Sequence, residues 1–105
     1  MNDAVIVFST CPSQAEAQEI ASALVAQRLA ACVQQLPGMI STYVWQGQAH
    51  NEVEVLLMIK SRLSLFPQVE AAIKKLHSYD VPEIVAVPMA ALSKDYMAWI
   101  HESLI

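Results

Sequence analysis

Hydrophobic and polar positions change period several times along the chain, and each change marks an element. Val5 to Thr10 is a β-branched and aromatic run closed by Cys11-Pro12, the pattern of a buried strand. Ser13-Gln14-Ala15-Glu16 has capping-box spacing, in which a hydroxyl and a carboxylate satisfy free backbone N–H groups at a helix start. Ala17, Ile20, Ala21, Leu24 and Val25 then recur at helical spacing and predict one apolar stripe laid on a sheet. Cys32 to Leu36 predicts a second strand, Pro37-Gly38 a bulge or bend, and Ile40 to Trp45 an extended continuation. Gln46-Gly47-Gln48 predicts a hairpin turn, because glycine supplies the positive φ that tight turns need.

The strand after the turn is long. Val53, Val55, Leu57 and Ile59 share one face, predicted to be core, while Glu52, Glu54, Leu56, Met58 and Lys60 share a mixed face that suggests a contact surface. Phe66, Val69, Ile73 and Leu76 predict a second helix from near Ser64, with Pro67 tolerable only in its first turn. Tyr79-Asp80-Val81-Pro82 must be extended, since the residue before proline avoids helical angles. Glu83 to Val87 reads as a strand closed by Pro88, and Ser93 as the cap of a last short helix carrying Tyr96, Trp99 and Ile100.

No repeat, low-complexity tract or linker interrupts residues 1–105, which read as a single domain. The order strand, helix, strand, strand, helix, strand is the split βαβ pattern: an α+β, ferredoxin-like antiparallel sheet with two helices on one face and a short C-terminal helix. Right-handed crossovers make the strands of each strand–helix–strand unit parallel. The first strand therefore ends, at Cys11, where the fourth begins, just after His77 and Tyr79. Cys32 starts its strand at the opposite end, on the order of 15–20 Å away, so the two cysteines should not meet within one subunit.

Composition changes the picture in three ways. Of 105 residues, 55% are hydrophobic and 15% charged, against about 25% charged in a typical soluble domain. A lone domain this small would struggle to hide that apolar surface, which favours a homo-oligomer. Six Lys and Arg against ten Asp and Glu leave a net charge of −4, and Lys74-Lys75 is the one adjacent basic pair; no nucleic-acid or anionic-membrane partner is expected. Leu29 to Asn51 lacks Asp, Glu, Lys and Arg, yet glutamines, Pro37 and the two glycines interrupt it, so it reads as strands rather than a membrane span. With no basic leader before the first apolar run, the expectation is a cytoplasmic protein whose Cys11 and Cys32 are free thiols.

Catalytic signatures are missing: there is no nucleophile elbow, no H-E-x-x-H and no glycine loop for phosphate, so no enzyme activity is expected. Metal binding has more to work with. Cys11, Cys32, His50, His77, His101 and five Met are soft or borderline donors suited to copper and other late divalent ions, although none has tight ligand spacing. On its own residues, Cys32 reads as a small buried hydrophobe. His77 is less bland, because it lies in a loop beside Tyr79, Asp80 and Glu83.

Ala30-Ala31-Cys32-Val33, Pro37-Gly38, Ser41-x-Tyr43-x-Trp45-x-Gly47 and Glu52-x-Glu54 with Lys60 resemble the divalent-cation tolerance, or CutA, family. His77-x-Tyr79-x-Val81-Pro82-Glu83-Ile84, Pro88 and Asp95-Tyr96-x-x-Trp99 extend the resemblance over nearly the whole chain. It implies a ferredoxin-like subunit in a tight homotrimer, a part in tolerance to copper and other divalent cations, and architectural kinship with the PII signalling trimers. Cys32 and His77 match proposed copper ligands of the family. Ser9 stands where some members have a third, and Cys11, two residues on and on the same strand face, is its candidate replacement. Ser78 replaces the proline that usually follows the histidine.

Two readings of function follow. One is a copper-binding trimer using Cys11, Cys32 and His77. The other is a signalling or scaffold trimer that takes a small ligand or a protein in an intersubunit cleft lined by Tyr43, Trp45, Glu54, Lys60, His77 and Tyr79.

Overall fold

Alternation in the first strand, β1 (Ala4–Cys11), sets the two faces of the sheet. In the computed structural model, which describes residues 2–105, Val5, Val7, Ser9 and Cys11 stand opposite Ser61, Ile59, Leu57 and Val55 of β3 (Gln48–Arg62). All eight are buried. Helix α1 (Gln14–Ala26) places Ala17, Ile20 and Leu24 on this face, and α2 (Phe66–Leu76) adds Val69 and Ile73. One core results, with both helices on one side of the sheet. Truncating a central member such as Ile59 to alanine costs about 2–5 kcal/mol, because the cavity left behind cannot collapse fully.

Strand β2 (Cys32–Trp45) pairs with β3, and β4 (Val85–Pro88) with β1, giving the order β2-β3-β1-β4 with every neighbour antiparallel. This is the sheet that the alternating pattern predicts. Helix α3 (Lys94–Ser103) closes one end of the core through Ile100 and, just past it, Leu104. Ser13 and Ser93 are the caps expected, accepting the backbone N–H of Glu16 and Tyr96 at 3.2 Å each.

Four details differ from expectation. Val25 is exposed, because the stripe of α1 turns off the sheet after Leu24. A single 3₁₀ turn, Leu63–Leu65, precedes α2, which starts at Phe66 with Pro67 in its first turn. The fourth strand begins two residues later than expected, at Val85, and takes in Pro88 as its last residue. Val53 is exposed rather than core, because β1 ends opposite Val55 and neither helix reaches beyond it.

Past that point β2 and β3 continue alone as a two-stranded arm, roughly 24 Å long for the seven residues Gln48–Glu54. The arm explains the 45 × 26 × 23 Å extents. Gln46 (φ +52°) and Gly47 (φ +79°) close it as the two-residue turn in which both central residues have positive φ. At the base of the arm the register shifts between Leu36 and Met39, where Pro37 and Gly38 (φ +80°) insert one extra residue into β2.

The sheet face away from the helices carries Ile6, Phe8, Leu36, Leu56, Met58, Val85 and Val87. Among the described residues no helix lies across its middle: Leu36, Val85 and Val87 are between 44% and 53% exposed.

Candidate functional site

Chemistry gathers where β1 ends. Cys11 closes β1 on the helix side, Glu16 sits in the first turn of α1, and His77 follows α2 as its C-cap residue. Three elements thus converge, and the Cys11, Glu16 and His77 donor atoms all lie within 4.8 Å of one another. His77 Nδ1 accepts the Tyr79 backbone N–H at 3.1 Å, so the ring carries its proton on Nε2, which donates to the Thr10 carbonyl at 2.7 Å. Glu16 Oε2 accepts the Ser78 N–H at 3.3 Å and stands 3.4 Å from His77 Nδ1.

Glu16 is the residue that sequence reasoning missed. The capping-box pattern assigns its carboxylate to the start of α1, and the Ser13 half of that box is present. The carboxylate itself turns to the His77 turn instead. Its position in the first turn of the helix that directly follows the strand ending in Cys11 was the available signal.

Burial and the nearby negative charges of Glu16 and Glu54 push the Cys11 thiol up to about 12. The thiol is therefore protonated near neutral pH and inert as a nucleophile. A thiol, an imidazole and a carboxylate within reach of one another are a donor set that suits a borderline or soft divalent ion, which would take the thiol proton on binding.

Cys32 lies elsewhere. It faces Lys60 across the β2–β3 ladder, five register positions from Val55, the partner of Cys11, so the two are separated by roughly 17 Å along the sheet and stand on opposite faces. The structure brings Cys11 and His77 together and leaves Cys32 half-buried beside Tyr96, whose hydroxyl is 4.0 Å from its sulfur.

On the other face, at the same end of the sheet, a cleft of about 710 Å³ opens between the arm and the segment Ser78–Glu83. Within the one chain it is lined by Tyr43, Trp45, Glu54 and Tyr79, with Thr10, Ser41, Asp80 and Glu83; His77, expected in a cleft between subunits, does not line it. Lys60 does not: it is six residues along β3 from Glu54, roughly 20 Å away, where Nζ donates to Gln34 Oε1 at 2.9 Å and to the Tyr96 hydroxyl at 3.4 Å. The alternation that puts Lys60 on the face of Glu54 fixes a side and not a place along the strand.

Glu54 is only 5% exposed. Tyr79 Oη donates to Glu54 Oε2 at 2.8 Å, and burial together with this bond raises the phenol above its ordinary range. Tyr43 stacks on His50, its cross-strand partner, at 5.3 Å between ring centroids. Tyr79 links the two faces, because its backbone N–H serves His77 while its hydroxyl serves Glu54.

The family model described as "CutA1 divalent ion tolerance protein" matches residues 5–103. The divalent-cation tolerance protein CutA of Thermus thermophilus is 45% identical over 98 residues, which span 93% of this chain and 95% of that protein. Its solved structure superposes with a TM-score of 0.93, covering 96% of this chain and 98% of that one. CutA from Xylella fastidiosa superposes at 0.95 with 39% identity, covering 98% and 99% of the two chains. A structure described as the periplasmic divalent cation tolerance protein CutA from Archaeoglobus fulgidus superposes at 0.92 with 34% identity, covering 95% and 97%.

Proposed function

Because this chain belongs to the CutA1 divalent ion tolerance family, we propose that it acts in tolerance to divalent cations as a non-enzymatic homotrimer that binds copper or a related ion. One observation carries the metal reading. Glu16 Oε2 and His77 Nδ1 face each other at 3.4 Å as two acceptors with no donor between them, beside the Cys11 sulfur. A proton or a metal ion can bridge the two, and the neighbouring thiol adds a third donor for a metal. Cys11, Glu16 and His77 hold the ion, and thiolate with imidazole favours copper among the divalent ions. Cys32 enters such a site only when a neighbouring subunit contributes it.

The uncovered apolar face and the exposed arm support the trimer. A monomer would leave Leu36, Ile40, Val44, Val53, Val85 and Val87 in water. A cytoplasmic home is the matching proposal for compartment, supported by two thiols held too far apart to form an intrachain disulfide. Cell fractionation tests it directly, with recovery in the periplasm as the opposing result.

Calorimetric titration of the reduced wild-type protein with copper, giving stoichiometry per trimer, tests the metal reading. Cys11→Ser and His77→Ala should each weaken binding at least about tenfold, since affinity tracks donor number and softness. Cys32→Ser should weaken it less. Equal binding by all four proteins refutes the reading.

The cleft between the arm and Ser78–Glu83 favours a second reading, a PII-like trimer that takes a small ligand or a partner protein there. Loss of copper binding in none of the variants, with saturable small-molecule binding lost in Trp45→Ala, would make it the leading account.

A further inference from the structure

We propose that Tyr79 couples cation capture at Cys11, Glu16 and His77 to the opposite face of the sheet: loading the cluster takes the Tyr79 N–H off His77 and loosens the Tyr79–Glu54 hydrogen bond. The proposal rests on the metal reading above and adds a regulatory link to that site. Its ground is a competition for one electron pair. A neutral imidazole has a single acceptor nitrogen, and in His77 it is Nδ1, because Nε2 donates to the Thr10 carbonyl at 2.7 Å. That lone pair accepts the Tyr79 backbone N–H at 3.1 Å. Nδ1 is also the ring atom that faces Glu16 Oε2, at 3.4 Å. His77 can therefore share a cation with Glu16 only by giving up the Tyr79 N–H.

The packing around the cluster points the same way. Cys11 and the His77 side chain are fully buried, and the Tyr79 ring lies on the His77 ring at 4.8 Å between centroids. Two backbone N–H groups of one turn hold this cover on the ligands themselves, Ser78 on Glu16 and Tyr79 on His77. The same tyrosine is tied at its tip, where Oη donates to Glu54 Oε2 at 2.8 Å. A tyrosine side chain has only two rotatable bonds, so a shift of its backbone off Nδ1 is carried to Oη. Glu54 is 5% exposed and stands where β3 leaves the body for the arm. The structure shows both bonds made; the loaded state lacks the first and weakens the second. Linkage is reciprocal, so removing the tip bond in advance must raise cation affinity by the factor that loading would otherwise spend on it.

Titration of the reduced, assembled protein with zinc, a redox-silent d¹⁰ ion, tests the proposal. Loading is expected to give a near-ultraviolet difference band that Tyr79→Phe abolishes. Tyr79→Phe keeps the ring and the backbone N–H and lacks only the tip bond, and it should bind zinc about threefold to tenfold tighter, the share of one hydrogen bond. A merely structural role for the hydroxyl would weaken binding or leave it unchanged. In the wild type, hydrogen exchange at the Tyr79 amide should speed up on loading. Equal or weaker zinc binding by Tyr79→Phe, or a Tyr79 amide as protected in the loaded protein as before, overturns the coupling; if His77→Ala still loses zinc, the metal reading stands. Absence of zinc binding, or binding that His77→Ala leaves unchanged, also overturns the coupling, and the copper titration above then decides the metal reading on its own.

Discussion

Glu16 Oε2 and His77 Nδ1 are 3.4 Å apart, and consecutive backbone N–H groups of one turn feed them: Ser78 donates to the carboxylate and Tyr79 to the imidazole. The turn thus holds both acceptors through its backbone N–H groups, and a metal ion on Nδ1 would take over the single lone pair that now accepts the Tyr79 N–H. A proton or a metal ion is the natural third member. The arrangement survives serine at position 78 because the backbone N–H of that residue, absent in proline, is what holds Glu16.

Glu16→Gln is therefore expected to weaken copper binding at least about tenfold, by removing a charged donor. Glu19→Gln, on the same helix, should leave affinity unchanged. Titration of both variants checks this. Affinity should also rise with pH, since the ion displaces the Cys11 proton; a pH-independent constant would disconnect Cys11 from the site.

Cys11 also predicts an alkaline instability. Its folded-state value is raised to about 12, whereas a free thiol ionises near 8.5. Above that lower value the unfolded chain releases a proton that the folded chain keeps, so stability is fully present below about pH 8.5 and falls as pH rises towards 12. Tyr79, raised for the same reason of burial, adds to the fall at higher pH. Urea midpoints between about pH 8 and 11 should drop, and Cys11→Ala should remove on the order of 1 kcal/mol of that pH-dependent loss.

A charge on the open face separates a monomer from an assembly. On a truly exposed surface Leu36→Glu and Met58→Glu would each change stability by no more than about 0.5 kcal/mol. Buried between copies, they should dissociate or misfold the protein. Light scattering at low micromolar concentration should show a trimer for the wild type and smaller species for both variants.

Tyr79→Phe leaves Glu54 Oε2 without its donor. The loss should cost about 1–3 kcal/mol by chemical denaturation, the penalty of an orphaned buried acceptor. Tyr43→Phe, at a more exposed phenol whose hydroxyl makes no hydrogen bond among the described residues, should be nearly neutral.

The fold was legible because its signals are local: Ser13 and Ser93 cap, Gly47 turns, Pro67 starts a helix, and strict alternation in β1 and β3 assigns the faces. Expectation failed where tertiary extent decides. Val53 continues an apolar alternation faultlessly yet lies exposed, since no pattern within β3 says where β1 stops. Cys32 lies far from Cys11 and His77, as the crossover layout requires, whereas Lys60 falls outside the cleft of the single chain because facing tells nothing of distance along a strand. Glu16 was hidden by a second, competing assignment of the same carboxylate to a helix cap.

The extra residue at Pro37–Gly38 makes β2 two alternations in opposite phase. Before it, even-numbered residues share the open face with Met58 and Leu56; after it, Ser41, Tyr43 and Trp45 take the side of Glu54, while Ile40 and Val44 fall opposite. Deleting one residue there would exchange the aromatic set for an aliphatic one without altering a single side chain of the arm or the body. The bulge is thus a reading-frame marker in the backbone: substitutions on either side of it can drift independently, whereas a change in its length rewrites the whole lining of the cleft at once.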